Sequence, residues 1–186
     1  MTRFVAVLVV GAIAVTSGAA VVSAQPDWYL RLRYPLQYEG IVRGHAQNYD
    51  LDPALLAAVI YQESKFRSSA HSHSGAIGLM QLQPATAEGI AIRTGGTRFR
   101  IDDLYEPEIN VRYGAWYLRH LLDKYRDERL ALAAYNAGQN NVDRWRREGR
   151  GIAFEETKHY VERVEDLKRI YRHAYGSRLD ARATAS

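Results

Sequence analysis

Apolar positions recur at helical spacing in three places along the chain. They are Leu55, Leu56, Val59 and Ile60; Ile109, Tyr113, Trp116, Tyr117 and Leu121; and Tyr160, Val161, Val164, Leu167, Tyr171 and Ala174. Steps of three and four keep side chains on one face of a 3.6-residue helix, so the stripes predict three helices whose apolar faces make the core. The punctuation agrees. Asp52-Pro53, Gln83-Pro84 and Glu106-Pro107 place proline where a first helical turn accepts it, and Gly138 and Gly176 stand where helices are expected to stop. Further helices are predicted over 41–49, 84–93, 129–137 and 141–148, with Gly-containing loops at 68–78, 95–96 and 149–151. No long alternating segment argues for a sheet, and no repeat or linker divides the body. The expected organisation is one mainly α domain over residues 35–176, followed by a small, polar, aperiodic tail at 177–186 that reads as disordered.

The amino terminus reads differently. Met1-Thr2-Arg3 is a short basic start, residues 4–22 are free of charge, and Val22-Ser23-Ala24 offers small residues for cleavage. Residues 1–24 are therefore expected to be an export signal cut near Ala24. The run of about 19 residues also suffices to cross a bilayer, and Trp28-Tyr29 with Arg31 and Arg33 would form an interfacial collar, so an uncleaved membrane anchor is the alternative. Either way the body is exported, to the cell envelope or beyond.

Composition narrows the chemistry. The 186 residues are 47% apolar and 25% charged, which suits one hydrophobic core, and the absence of cysteine removes thiol nucleophiles and thiolate metal sites. A net charge of +4 favours polyanionic surroundings such as wall polymer or anionic lipid but is too small to argue for nucleic acid. The dense basic stretch Arg144-Trp145-Arg146-Arg147 reads as a solvated helix face with Trp145 packed inward. His71 and His73 lack the further ligands of a metal site, and no phosphate loop or dinucleotide fingerprint is present, so neither metal nor organic cofactor is expected.

Glu63 continues the stripe of Leu55, Leu56, Val59 and Ile60, which carries a carboxyl group onto a buried face. Desolvation there would raise its pKa, as a general acid working near neutral pH requires. The same spacing equally suits a surface Glu paired with Arg67 at i+4. Downstream, the run from Ser72 to Gln81 combines Gly75 and Gly78, which allow close backbone approach, with the amide of Gln81, which can serve a sugar hydroxyl or acetamido group. Met80 by spacing alone would be a core residue. Tyr135 and Asn136 end a helix of small residues; they could present a phenol and an amide to a cleft, or serve as a packed aromatic and a cap.

Taken together, Gln62-Glu63-Ser64, Ser72-x-x-Gly75-Ala76-x-Gly78-Leu79-Met80-Gln81 with Pro84 following, and Ala134-Tyr135-Asn136-Ala137-Gly138 closely resemble the soluble lytic transglycosylase family of peptidoglycan-cleaving enzymes. A fourth block, Phe154-x-Glu156-Thr157-Lys158-x-Tyr160-Val161, looks like the family's closing segment, with Lys158 where Arg is commoner. The resemblance spans about residues 35 to 175.

It implies a mainly α, lysozyme-like domain with a cleft for glycan strands. Glu63 falls on the single catalytic acid/base. Ser72, Met80, Gln81, Tyr135 and Asn136 fall on positions that shape or line the sugar cleft, and Glu156 and Tyr160 on the closing motif. Ordinary glycosidases need two carboxylates, whereas the implied reaction uses one. Glu63 protonates the oxygen between N-acetylmuramic acid and N-acetylglucosamine, and the muramic acid's C6 hydroxyl closes a 1,6-anhydro ring. Asp102 and Asp103 read as a turn before a helix and not as a second carboxylate. The alternatives are a lysozyme-type hydrolase and a non-catalytic wall-binding protein, although an untasked carboxyl on an apolar face is costly. The expected partner is peptidoglycan, and the expected state a monomer.

Overall fold

The structure, a computed structural model, describes residues 26–180; residues 4–22, the cleavage site at Ala24 and the end of the tail lie outside them. The chain divides into two compact units, one ending at Pro35 and one starting at Leu36. In the first, helix α1 (Asp27–Arg33) carries Trp28 and Leu32 exposed to solvent. Among the described residues no helix is long and apolar enough to cross a membrane.

The second unit is helical: α2 (Glu39–Asn48), α3 (Pro53–Ser64), α4 (Pro84–Thr94), a 3-10 turn (Ile101–Tyr105), α5 (Pro107–Tyr125), α6 (Glu128–Ala137), α7 (Gln139–Arg147) and α8 (Glu155–Leu179). Helix α3 is its axis. Asp52 caps it by accepting the Ala54 N–H at 2.9 Å, and Pro53 occupies the first turn. Every residue from Ala54 to Tyr61 is buried, so this helix is apolar all round, as a central core helix must be. Its principal neighbour is α8, whose stripe from Tyr160 to Ala174 is buried throughout. Lys168 on α8 reaches Glu128 at the start of α6 (2.7 Å) and the capping Asp52 (3.6 Å), tying three helices at one end.

Helix α6 packs among α5, α7 and α8, and its run of small residues, Ala131, Ala133 and Ala134, allows that close approach. Trp145 on α7 is buried as expected and meets the edge of Phe154 at 4.8 Å. A smaller cluster of Ile77, Leu82, Ala87, Ile90, Leu104 and Tyr113 holds α4 and the 3-10 turn against α5.

Two expectations are corrected. Gly176 does not stop a helix: α8 runs to Leu179, which is buried, so the tail expected from residue 177 is helical through its first three positions. Helix α5 turns Asn110, Val111, Gly114, Ala115 and Leu118 inward with Tyr113 and Leu121, while Ile109, Trp116 and Tyr117 are only partly buried. Aromatic bulk at 116 and 117 suggested the inward face, but close packing there favours the small side chains.

The loop between α3 and α4 has little regular structure, only the bridges His71 to Ile77 and Ile77 to Leu82. It is held by one buried amide. Asn110 accepts the Met80 N–H at 2.8 Å and donates to the carbonyls of Ile77 (2.9 Å) and Leu104 (2.8 Å). Gly78, at φ +80°, makes this possible, since a Cβ there would lie 2.2 Å from the Asn110 amide nitrogen and 2.3 Å from the Leu104 carbonyl oxygen. From the other side the Ser64 hydroxyl donates to Leu79 O at 2.7 Å.

Truncating Asn110 removes the partner of the buried Met80 N–H and of the Leu104 carbonyl together, and leaves the Ile77 carbonyl only its bond from the Leu82 N–H (3.0 Å). Asn110→Ala is expected to lower the unfolding free energy by about 3 kcal/mol, read from urea denaturation; a loss under about 0.5 kcal/mol would show that the loop does not depend on this amide.

Candidate active site

Helix α3 ends abruptly at Ser64 because Lys65 and Phe66 adopt left-handed conformations, at φ 53° and 61°. Phe66 pays that backbone strain by burying its ring against Tyr61 and Tyr171. Glu63 therefore stands in the last turn, at the mouth of a cavity of about 670 Å³. Gln62 beside it, Asn136 from the end of α6, and Glu156, His159, Tyr160 and Arg163 from α8 complete the wall. The four α8 residues follow the i, i+3, i+4, i+7 pattern of one helix face.

Glu63 keeps some surface toward the cavity, yet protein encloses its carboxyl. The Tyr160 hydroxyl donates to Oε1 at 2.6 Å, and Oε2 has no hydrogen-bond partner among the described residues. Burial lifts the Glu63 pKa from an ordinary 4.5 to about 7, against the downward pull of the Tyr160 hydrogen bond. Tyr160 and Tyr135 both have their pKa pushed far up, by burial first and then by the Glu63 charge, so both remain phenols. The expected pairing of Glu63 with Arg67 does not form; the Arg67 guanidinium instead donates to the Ser64 carbonyl at 3.1 Å. Of the two carboxyls that line the cavity, Glu63 is the enclosed one, able to deliver a proton near neutral pH and to take one back.

The other candidate residues divide. Asn136, Glu156 and Tyr160 share the cavity with Glu63. Tyr135 lies behind it and spends its proton on the Met80 carbonyl at 2.8 Å, so it braces the loop and has no donor left for a sugar. Met80 is corrected as a cleft residue: its side chain is fully buried against Gly114, where a Cβ would come within 2.2 Å of the sulfur. Gln81 directs its amide NH2 to Ala70 O (3.2 Å) and Gly78 O (3.0 Å), leaving only its carbonyl for a ligand. The Ser72 hydroxyl accepts the Ala76 N–H at 2.9 Å and bonds Ser74, shaping the loop. Asp103 accepts the Arg100 N–H at 2.8 Å, in the turn that its position suggested. Among the described residues no group of three His, Asp or Glu side chains converges to hold a metal ion.

Several residues that matter here escaped sequence reasoning. Buried Thr157 donates to the Asn136 carbonyl oxygen at 2.8 Å, which fixes the amide and turns its NH2 away from that bond. Asn110 was detectable as a polar residue between Ile109 and Val111 on a helix with a strong apolar face. His159 and Arg163 were detectable by extending the helical spacing from Glu156 and Tyr160.

A model of the transglycosylase SLT domain matches residues 40–157, which include Glu63, the pinned loop and Asn136. The chain belongs to the SLT transglycosylase family. Among its relatives is the soluble lytic murein transglycosylase of Salmonella typhimurium, 32% identical over 167 residues, covering 81% of this chain and 25% of the relative. The membrane-bound lytic murein transglycosylase F of Cellvibrio japonicus is 35% identical over 136 residues, covering 69% and 25%. In three dimensions the chain matches an inactive mutant of lytic transglycosylase Slt from Pseudomonas aeruginosa with a TM-score of 0.73 and 32% identity, over 89% of this chain and 29% of that one. The fold is thus the all-α, lysozyme-like one. The chain spans about a quarter of the length of the curated relatives it matches.

Two outcomes follow from the carboxyl's environment. Folded Glu63 holds its proton to about pH 7, whereas in the unfolded chain it ionises near 4.5. Its ionisation therefore erodes stability as pH rises through that window. Glu63→Gln escapes this cost, so between pH 4 and pH 8 the variant should gain about 2 to 3 kcal/mol relative to the parent; parallel unfolding curves at the two pH values would disprove the burial. Tyr160→Phe removes the bond that favours the charged form and should move the Glu63 titration, followed by carbon NMR of the carboxyl, above about 7.

Proposed function

We propose that this chain is an exported peptidoglycan lytic transglycosylase with Glu63 as its single acid/base, assisted at the site by Tyr160 and Asn136. The observation that carries the reading is one cavity carboxyl whose pKa stands at about 7 by burial, hydrogen-bonded by a phenol that cannot compete for its proton. The relatives' names, lytic murein transglycosylases both soluble and membrane-bound, support the same substrate and a place in the cell envelope. Residues 1–24 would serve as export signal or anchor.

The reaction starts with Glu63 protonated and Oε2 facing the glycan. The acid donates its proton to the oxygen joining C1 of N-acetylmuramic acid to N-acetylglucosamine. That C–O bond breaks, and an oxocarbenium-like centre develops at C1. The Tyr160 hydrogen bond stabilises the carboxylate left behind. The C6 hydroxyl of the same sugar then attacks C1 and gives its proton to Glu63, closing the 1,6-anhydro ring and restoring the acid with no water consumed. Ring closure gains from proximity once the sugar is held in place. The Asn136 NH2, oriented by Thr157, is the group positioned to hold an acetamido oxygen.

Glu156 gives the hydrolytic reading one observation, since it lines the same cavity. As a base it would activate water, whereas in the transglycosylase reading it contacts the glycan without taking a proton from the nucleophile.

Digestion of purified peptidoglycan should release muropeptides lighter by one water than hydrolysis products, as read by mass spectrometry, and Glu63→Gln should lower release by about a thousandfold. Activity should fall as pH rises through about 7, because the proton donor is lost. Reducing ends in place of anhydro ends would establish the hydrolase, and full activity in Glu63→Gln would remove Glu63 from the chemistry.

A further inference from the structure

Large apolar side chains left in water are concentrated in one short helix. Along α1, Trp28 is 68% exposed, Leu32 75% and Tyr29 42%, whereas Leu30 is buried. Trp28 and Leu32 stand one turn apart and Tyr29 borders them, so the three span about 100° of the helix surface, with Leu30 roughly opposite. The Trp28 and Tyr29 rings meet edge to face at 6.0 Å, which makes the patch continuous. Arg31 flanks it on one side and Arg33 on the other. Both guanidiniums are engaged: Arg31 pairs with Asp27 at 3.5 Å, and Arg33 lies over the Tyr34 ring at 5.2 Å. They keep their charge in those contacts, and against them α1 carries one acid, Asp27, so the helix is net cationic.

Only Ser23-Ala24-Gln25-Pro26 separates this face from the charge-free run at residues 4–22. When that run enters a bilayer, α1 is delivered to the bilayer surface. An indole and a phenol bordered by guanidiniums is the composition that the headgroup layer favours, because the rings settle below the phosphates while the cations stay at their level. From this placement we infer that α1 lies in the plane of a phospholipid bilayer, with Trp28, Tyr29 and Leu32 turned into the headgroup layer, and that it keeps the chain at that surface whether or not residues 1–24 are removed. Three side chains make the hold weak and reversible once the leader is gone. The inference goes beyond the lytic reading, since no step at Glu63 enters it, and failure of glycan cleavage leaves it standing.

The chain has no cysteine, so one introduced cysteine places a nitroxide label at one chosen position. Full-length Asp27→Cys, Tyr29→Cys and Leu32→Cys are labelled and mixed with vesicles of phosphatidylethanolamine and a minority of phosphatidylglycerol. Paramagnetic relaxation then compares each label's collisions with oxygen, which concentrates in lipid, and with a nickel chelate, which stays in water. Labels at 29 and 32 should shift from water to lipid when vesicles are added, and the label at 27, outside the apolar arc, should stay in water. Lipid contact that declines in sequence order from 27 to 32 means a spanning anchor with α1 leading away from it, and overturns the inference. Three labels in water, or three equally in lipid, overturn it as well. Adding Trp28→Ser and Tyr29→Ser to the Leu32→Cys chain should return that label to water; a label that stays in lipid shows that the apolar face of α1 is not what docks it.

Discussion

A carboxyl group keeps its proton at neutral pH only where protein replaces water around it, and the whole helical body serves to maintain that replacement at Glu63. Helix α3 is buried on every side from Ala54 to Tyr61, so it cannot tilt or slide without opening the core. Its last turn projects Glu63 to the edge of this packing, where the carboxyl is desolvated on one flank and open to the cavity on the other. Two opposing effects meet there: burial favours the acid, and the Tyr160 bond favours the carboxylate. Burial wins, and a pKa of about 7 is what a group needs if it is first to give a proton and then to accept one.

Secondary structure alone would not hold the rest of the site in place. The loop between α3 and α4 contains only two isolated bridges, and such a segment keeps one conformation when its buried polar groups are all answered. Asn110, Ser64 and Tyr135 supply those answers from three different helices, all converging on the short run from Ile77 to Met80. Gly78 and Gly114 are small for a related reason. One lets the Asn110 amide reach two carbonyls, and the other receives the Met80 thioether, so the loop is keyed into α5 by the absence of two Cβ atoms.

This division explains what could be read from the sequence. Helical periodicity located α3 and α8, and it put Glu63 in phase with Leu56 and Val59, but the same spacing suited a surface Glu equally, and only the resemblance singled Glu63 out as the acid. Periodicity carries no information about which way a side chain in an irregular loop turns. Resemblance placed Met80 and Gln81 at a sugar cleft, while tertiary packing sends one into the core and spends the other's amide on carbonyls of its own loop. Tyr135 was legible as a polar aromatic near the site, but not as one whose proton is already committed. Gly176 looked like a stop because glycine usually ends helices; here Leu179 and Tyr175 remain buried, and that packing carries α8 past the glycine.

Tyr160 shows how closely core and site are coupled. It belongs to the apolar stripe that runs through Val164 and Tyr171, and also to the cavity face that runs from Glu156 to Arg163. Its ring is therefore positioned by packing against the core, and its hydroxyl, as a rigid extension of that ring, is positioned for Glu63 without a separate support. The cost is that the core cannot repack along α8 without moving the bond that tempers the acid. Glu156, His159 and Arg163 touch the cavity without entering the stripe, so their side chains can change without that penalty. A site built this way separates two parts along one helix: the residue shared with the core tempers the acid, and the residues outside the core can change without disturbing it.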